Sequence, residues 1–151
     1  MGDQFVGDDG IVLDRALGFW IHRAHQALRN EMYRAFREVG ADVTPEQWAV
    51  LVRLWERDGR TQQELCDATF RDKPTMSRIV DVLERRKLVQ RRADPDDART
   101  RQVVLTPAGT ELRRTLVPAA RGMVKRMLRG IDAKDAAVTR RTLEAIFANV
   151  S

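Results

Sequence analysis

One cysteine, Cys66, and two histidines, His22 and His25, are all the thiol and imidazole groups that the chain offers to a metal. A lone thiol forms no internal disulfide, and three such residues supply no structural zinc site, so neither kind of staple is expected. Long apolar runs are missing too. No stretch approaches the ~20 residues of a membrane span, and the opening MGDQFVGDDG is acidic, without the basic and apolar regions of a signal peptide, so a cytoplasmic protein with no membrane partner is expected. There is no Gly-x-Ser-x-Gly and no glycine-rich phosphate loop, and both histidines fall in one helical stretch, where the bland reading is a polar helix surface. The expectation is a protein that is not an enzyme, with no catalytic residue, no metal and no cofactor.

What is present is positive charge in the wrong half for an even distribution. The 27 Lys and Arg and 22 Asp and Glu divide as 8 and 12 over residues 1–70, 10 and 6 over 71–101, and 9 and 4 over 102–151. A regional basic stripe is the footprint of a polyanion-binding face, although a run of charge alone is more often just solvated. At 151 residues the chain suits one structural unit.

Apolar residues recur every three to four positions from Leu13 to Val39, through Leu17, Trp20, Ala24, Leu28, Met32 and Phe36, which predicts a long amphipathic helix stopped at Gly40. Thr44-Pro45-Glu46-Gln47 is a capping box for a second helix reaching about Arg57 and burying Trp48, Leu51 and Trp55. Thr61-Gln62-Gln63-Glu64 is another, opening a short helix with Leu65, Cys66 and Ala68 inward. Asp72 caps a fourth, whose stripe is Met76, Ile79, Val80 and Leu83. Two short, closely connected helices of this kind are a helix-turn-helix.

After Lys87 the apolar period drops from about 3.6 to 2. Residues 88–92 and 101–105 read as strands joined by a polar turn around Asp94-Pro95-Asp96. Thr106-Pro107 starts a fifth helix, kinked at Pro118, and Asp132 a sixth, with Leu143, Ile146, Phe147 and Val150 as inward candidates. The fold class expected is mainly α with a small β-hairpin wing: a winged helix-turn-helix lobe at 42–106, flanked by helical dimerisation segments at 1–41 and 107–151. The outer helices, far apart in sequence and striped on one face, bury those stripes best against each other and a second copy, giving a homodimer.

In such a lobe the fourth helix enters the major groove of double-stranded DNA and the wing reaches along the backbone or into the neighbouring minor groove. Lys73, Thr75, Ser77 and Arg78 lie on the face left free by its core stripe. Arg78 is the candidate for bidentate pairing with guanine, while Lys73, Ser77, Thr61 and Gln62 are phosphate contacts and Arg99 and Arg101 belong to the wing. The stretch RTQQELCDATFRDKPTMSRIVDVLERRKLVQRRADPDDARTRQVVLTPAG resembles the MarR family of bacterial transcriptional regulators, most specifically in Asp97-Ala98-Arg99 followed by Leu105-Thr106 and Gly109. The resemblance implies a homodimer on a pseudo-palindromic operator, usually repressing, and released by a small aromatic ligand or by oxidation.

Two positions depart from that family's pattern. Lys87 stands where glycine is common, so the turn either differs or absorbs the strain of a left-handed lysine. Cys66 stands where alanine is common; on an inward stripe it reads as a small buried hydrophobe, with a redox-responsive regulator as the alternative. A winged helix that docks a protein partner is the other rival. Asp97 is expected to orient the guanidinium of Arg99 or Arg101. A cleft lined by Trp20, His25 and Trp48, with methionines of the fifth helix, is the candidate effector pocket, against the plainer reading of those aromatics as core.

Overall fold

The computed structural model describes residues 6–7, 10–11, 16–97 and 99–151; Leu13 and Ala98 lie outside them. Its elements are β1 (Val6–Gly7), β2 (Gly10–Ile11), α1 (Leu17–Glu38), α2 (Pro45–Glu56), β3 (Arg60–Thr61), α3 (Gln62–Thr69), α4 (Lys73–Arg85), β4 (Val89–Ala93), β5 (Arg101–Leu105), α5 (Pro107–Met127) and α6 (Ala133–Val150). β1 and β2 pair antiparallel with Val6 opposite Ile11. The order of six helices with a hairpin between the fourth and fifth is the one expected. The sheet is larger than a hairpin, because β3 joins β5 antiparallel through Arg60–Val103 and Thr61–Gln102, giving the order β3-β5-β4. Two residues are too short to carry a period-2 signal, so β3 is invisible in the sequence.

Helix starts obey their local chemistry. Thr44 accepts from the Gln47 N–H at 3.2 Å while the Gln47 amide oxygen accepts from the Thr44 N–H at 3.2 Å. Thr61 and Glu64 repeat the reciprocal pair at 3.2 and 2.7 Å. Asp72, Thr106 and Asp132 each cap with one side-chain oxygen. Such caps satisfy donors that a helix start otherwise leaves orphaned, worth about 1 kcal/mol each. α5 runs unbroken through Pro118.

The core lies in the lobe and at the root of α1 and α5: Phe36, Leu51, Leu65, Met76, Leu83 and Leu116 are fully buried. Trp48, Trp55 and Leu105 only flank it. The stripe of α2 that faces inward is Val50, Leu51 and Leu54, so the two tryptophans turn toward α5 instead of into the centre. Trp55 donates its indole N–H to the Gly109 carbonyl at 3.0 Å, and its ring meets Trp48 edge-on at 5.6 Å.

Gly109 has a definite reason to be glycine: a Cβ there would sit 2.0 Å from the Leu88 carbonyl oxygen. That carbonyl already accepts from the Thr106 N–H at 3.0 Å, so α5 starts pressed against the entry to β4. Among the described residues two that are not glycine adopt the left-handed conformation, Phe70 at φ 53° and Lys87 at φ 58°. Lys87 therefore absorbs the strain, with its N–H bonded to the Glu84 carbonyl at 2.9 Å. Phe70, in the turn between α3 and α4, is held by ring contact with Phe147 of α6 at 4.9 Å.

Candidate nucleic-acid interface

α4 presents its first turns outward because Met76, Ile79, Val80 and Leu83 are all buried on the other side. Lys73 and Arg78 are exposed, and Thr75 and Ser77 half-buried. Among the described residues neither Lys73 nor Arg78 is engaged in a hydrogen bond or ion pair, so both guanidinium and ammonium donors face solvent with their hydrogen-bonding capacity intact. Asp72 accepts from the Thr75 N–H at 2.8 Å and from the Thr75 hydroxyl at 2.9 Å. These bonds, led by the backbone N–H, hold the Asp72 carboxyl below the usual range, with the charge of Arg78 a lesser contributor. Thr75 has thus spent its proton on the cap. Outward it can only accept, which suits a base amine and not a phosphate oxygen. Thr61 is engaged with Glu64 as well: its oxygen accepts from the Glu64 N–H, and its side chain is the least of the groups whose hydrogen bonds hold the Glu64 carboxyl below the usual range, led by the Thr61 backbone N–H. Gln62, beside it at the start of α3, is half-buried.

The wing is fastened to α4 by a residue that sequence reasoning passed over. Arg91 of β4 reaches Glu84 at 2.5 Å, Asp81 at 2.7 Å and the Ser77 carbonyl at 3.5 Å. Its backbone N–H also donates to Glu84 at 2.9 Å. Strand and helix are therefore joined at three successive turns of α4, and the two elements are held in one relative position. Arg86, at the other end of α4, ties that helix to the start of α2, bonding the Gln47 amide oxygen at 3.2 Å and the Asp42 carbonyl. Nothing in a run of arginines distinguishes the clamps from the free ones; only the tertiary placement of their acceptors does.

The expected role of Asp97 is corrected by its geometry. Its carboxylate accepts from the backbone N–H of Arg99 at 3.0 Å and the hydroxyl of Thr100 at 2.9 Å, and bonds to neither guanidinium. Residues two and three positions on are within reach of a short carboxylate through their backbone and hydroxyl, and this local turn outcompetes a long, hydrated arginine side chain. Asp94 closes the same loop, accepting from the Asp96 N–H at 2.8 Å and Gln102 at 2.6 Å. Those bonds, the Asp96 N–H first, hold its carboxyl below the usual range. The wing aspartates thus shape backbone, and among the described residues the guanidinium groups of Arg99 and Arg101 have no hydrogen-bonded or ionic partner.

A second feature lies behind the interface. Between α2 and α5 opens a cavity of 520 Å³, walled by Trp48, Val52, Trp55, Val117 and Val124, with Glu56 and three cations of α5 at its edge. Trp48 lies where the effector pocket was expected, but Trp20 and His25 do not line this cavity within the protomer. Trp20 is on the exposed face of α1, edge-on to Phe19 at 5.8 Å with Arg23 over its ring at 5.7 Å. The methionines divide: Met123 is buried core, and Met127 borders a separate 740 Å³ apolar hollow between α1, α5 and α6. Cys66 is buried, and desolvation pushes its thiol up from the ordinary value, opposite to what a ready thiolate needs.

A helix-turn-helix whose second helix is clamped to a three-stranded wing is the winged-helix class of DNA-binding architecture. Residues 41–100 match the model of the MarR family. The transcriptional regulator HosA of Escherichia coli O111:H- is 30% identical over 61% of this chain and 76% of its own length. A probable transcriptional regulator of Pseudomonas aeruginosa has a crystal structure that is 34% identical, with a TM-score of 0.79 over 89% of this chain and 98% of that one. CouR of Rhodococcus jostii RHA1, crystallised with p-coumaroyl-CoA, is 26% identical with a TM-score of 0.78 over 89% and 94%. The chain belongs to the MarR family of transcriptional regulators. Among the described residues no helix is long and apolar enough to cross a membrane.

Proposed function

We propose that this protein is a homodimeric repressor that binds a pseudo-palindromic DNA operator and leaves it when a small aromatic effector enters the α2/α5 cavity. The observation that carries the reading is the Arg91 clamp. It makes α4 and the wing one rigid unit, with Lys73 and Arg78 on the helix and Arg99 and Arg101 on the wing free to meet phosphates and base edges. Residues 42–106 act as the DNA-binding lobe, and 1–41 with 107–151 as the dimerisation region. In a dimer of this kind two recognition helices must match major grooves spaced ~34 Å apart. An effector relieves repression only by binding better to a dimer whose spacing no longer fits. The cavity borders both regions, since α2 belongs to the lobe and α5 leaves it, so an occupant there bears on their relative angle. The aromatic ligand of CouR supports an aromatic effector.

The test is a mobility-shift titration on the DNA upstream of the protein's own gene. A shift that weakens steeply with salt is expected, because phosphate contacts release counterions. No shift at low salt would remove the DNA reading.

A further inference from the structure

Phe70 is an unexpected phenylalanine on two counts. It takes the left-handed conformation at φ 53°, where a bulky side chain is strained and glycine is not, and it is 76% exposed, so burial in the lobe does not account for it. Its ring meets Phe147 of α6 edge-on at 4.9 Å, with 64° between the planes. Phe147 is itself 48% exposed and shares a face of α6 with Leu143, one turn earlier. Backbone strain that gains so little burial points to a role in function.

The turn that carries Phe70 has no slack. The N–H groups of Phe70 and Arg71 both donate to the Cys66 carbonyl of α3, the second at 3.1 Å, and Asp72 caps α4 through the Thr75 N–H at 2.8 Å. Three residues therefore join α3 to Lys73, the first residue of α4, and a shift of Phe70 is passed to the end of that helix which meets base edges. On the other side of the contact, α6 buries no residue of its own, and a 740 Å³ apolar hollow separates it from α1 and the end of α5. Its position in the proposed dimer is set by the second copy. We infer that Phe70 is a positioning residue for operator recognition: seated on Phe147, it fixes the tilt of α4 against α6, and so the distance between the two recognition helices. This rests on the homodimeric DNA-binding reading above and adds the contact from which the lobe takes its angle, with no effector involved. One edge-on ring pair stabilises the fold little, but it biases an angle that nothing else at this turn sets.

The full chain would be titrated with operator DNA, located by footprinting upstream of its own gene, in three forms: as found, with one base pair inserted between the half-sites, and with one half-site destroyed. The insertion moves the second half-site by ~3.4 Å and about a tenth of a turn. The wild type is expected to bind the lengthened operator on the order of tenfold more weakly than the natural one, and Phe147→Ala and Phe70→Gly only about twofold more weakly, as coupling between lobe and α6 is lost. Binding to the single half-site holds in both variants. Phe70→Gly relieves the left-handed strain, so a merely structural role leaves its spacing penalty at the wild-type value. Phe70→Tyr keeps the ring and the penalty, as does Val150→Ala elsewhere on α6. An unchanged penalty in the two variants that remove a ring would overturn the inference, and so would half-site binding that weakens as much as operator binding, since the ring would then act within the lobe. A Phe147→Ala dimer that dissociates in sedimentation would overturn it too, the ring being then a subunit contact. Should the wild type shift the natural and lengthened operators equally, the DNA reading stands and this inference alone fails; should it shift neither, the reading beneath fails and takes the inference with it.

Discussion

The lobe and the outer helices are built from similar amphipathic stripes, yet they end in opposite states. Every stripe residue of α4 is buried, whereas α6 buries none, leaving Leu143 42%, Phe147 48% and Val150 80% exposed. A stripe is only an offer of burial. In the lobe, α2, α3, α4 and the sheet close around one another; among the described residues α6 shares an apolar hollow with the end of α5, Phe70 and part of α1. Apolar surface of that extent on an exposed helix face calls for a partner, and the proposed homodimer supplies one.

The sharpest way to break the comparison is to truncate one leucine on each side. Leu83→Ala should cost about 2–5 kcal/mol, because its packed surroundings cannot collapse into the space. Leu143→Ala should change the protomer's own stability by less than about 0.5 kcal/mol. Its effect should appear as a midpoint that depends more steeply on protein concentration, measured by thermal denaturation over a dilution series. A Leu143→Ala protein as damaged as Leu83→Ala at high dilution would show that α6 is core to the single chain.

Within the lobe, free and clamped arginines should separate next. Arg78→Ala should lose ~1–3 kcal/mol of discrimination between the operator and a sequence mutated at one base pair, while Arg99→Ala weakens both by a similar factor, read from competition mobility shifts. Arg91→Ala removes no phosphate ligand. It should cost about 1 kcal/mol of stability, since the exposed Glu84 and Asp81 rehydrate, and should still weaken operator binding by loosening the wing.

The clamp also has a pH signature. The Glu84 carboxyl is held below its ordinary 4.5, first by the Arg91 N–H and then by its guanidinium. A depressed folded value means the pairing stabilises the protein above about pH 4.5 and is lost as pH falls through the folded value. Acid denaturation curves of Arg91→Ala should fall less over that window than the wild type, keeping the part due to the backbone bond. The smallest effect is expected of Lys87→Gly, a gain of about 0.5 kcal/mol by urea denaturation, because relief of left-handed strain slightly exceeds the extra freedom glycine has when unfolded.

Much of this arrangement is legible in the sequence. Thr44, Thr61, Asp72 and Thr106 fix their helices through bonds three residues away, and the change of period after Lys87 locates the wing. Such signals are local, so the sequence carries them whole. Asp94 and Asp96 are legible as a turn but not in their partners, and Asp97 reads as the partner of an arginine, because whether a carboxylate finds a backbone N–H or a guanidinium depends on where the loop closes.

The remainder was decided by contacts between distant residues. β3 exists because Arg60 and Thr61 meet Val103 and Gln102; Gly109 is required by a carbonyl 21 positions earlier. Arg91 and Arg113 look alike in the sequence, one sealed to two acids and the other open beside a cavity. By itself the sequence determined where helices and strands begin and which faces are apolar, since those follow from bonds within a turn or two. Only the tertiary structure decided which charges are spent on holding the fold and which remain for a partner, because an ion pair requires both groups to be brought to one place.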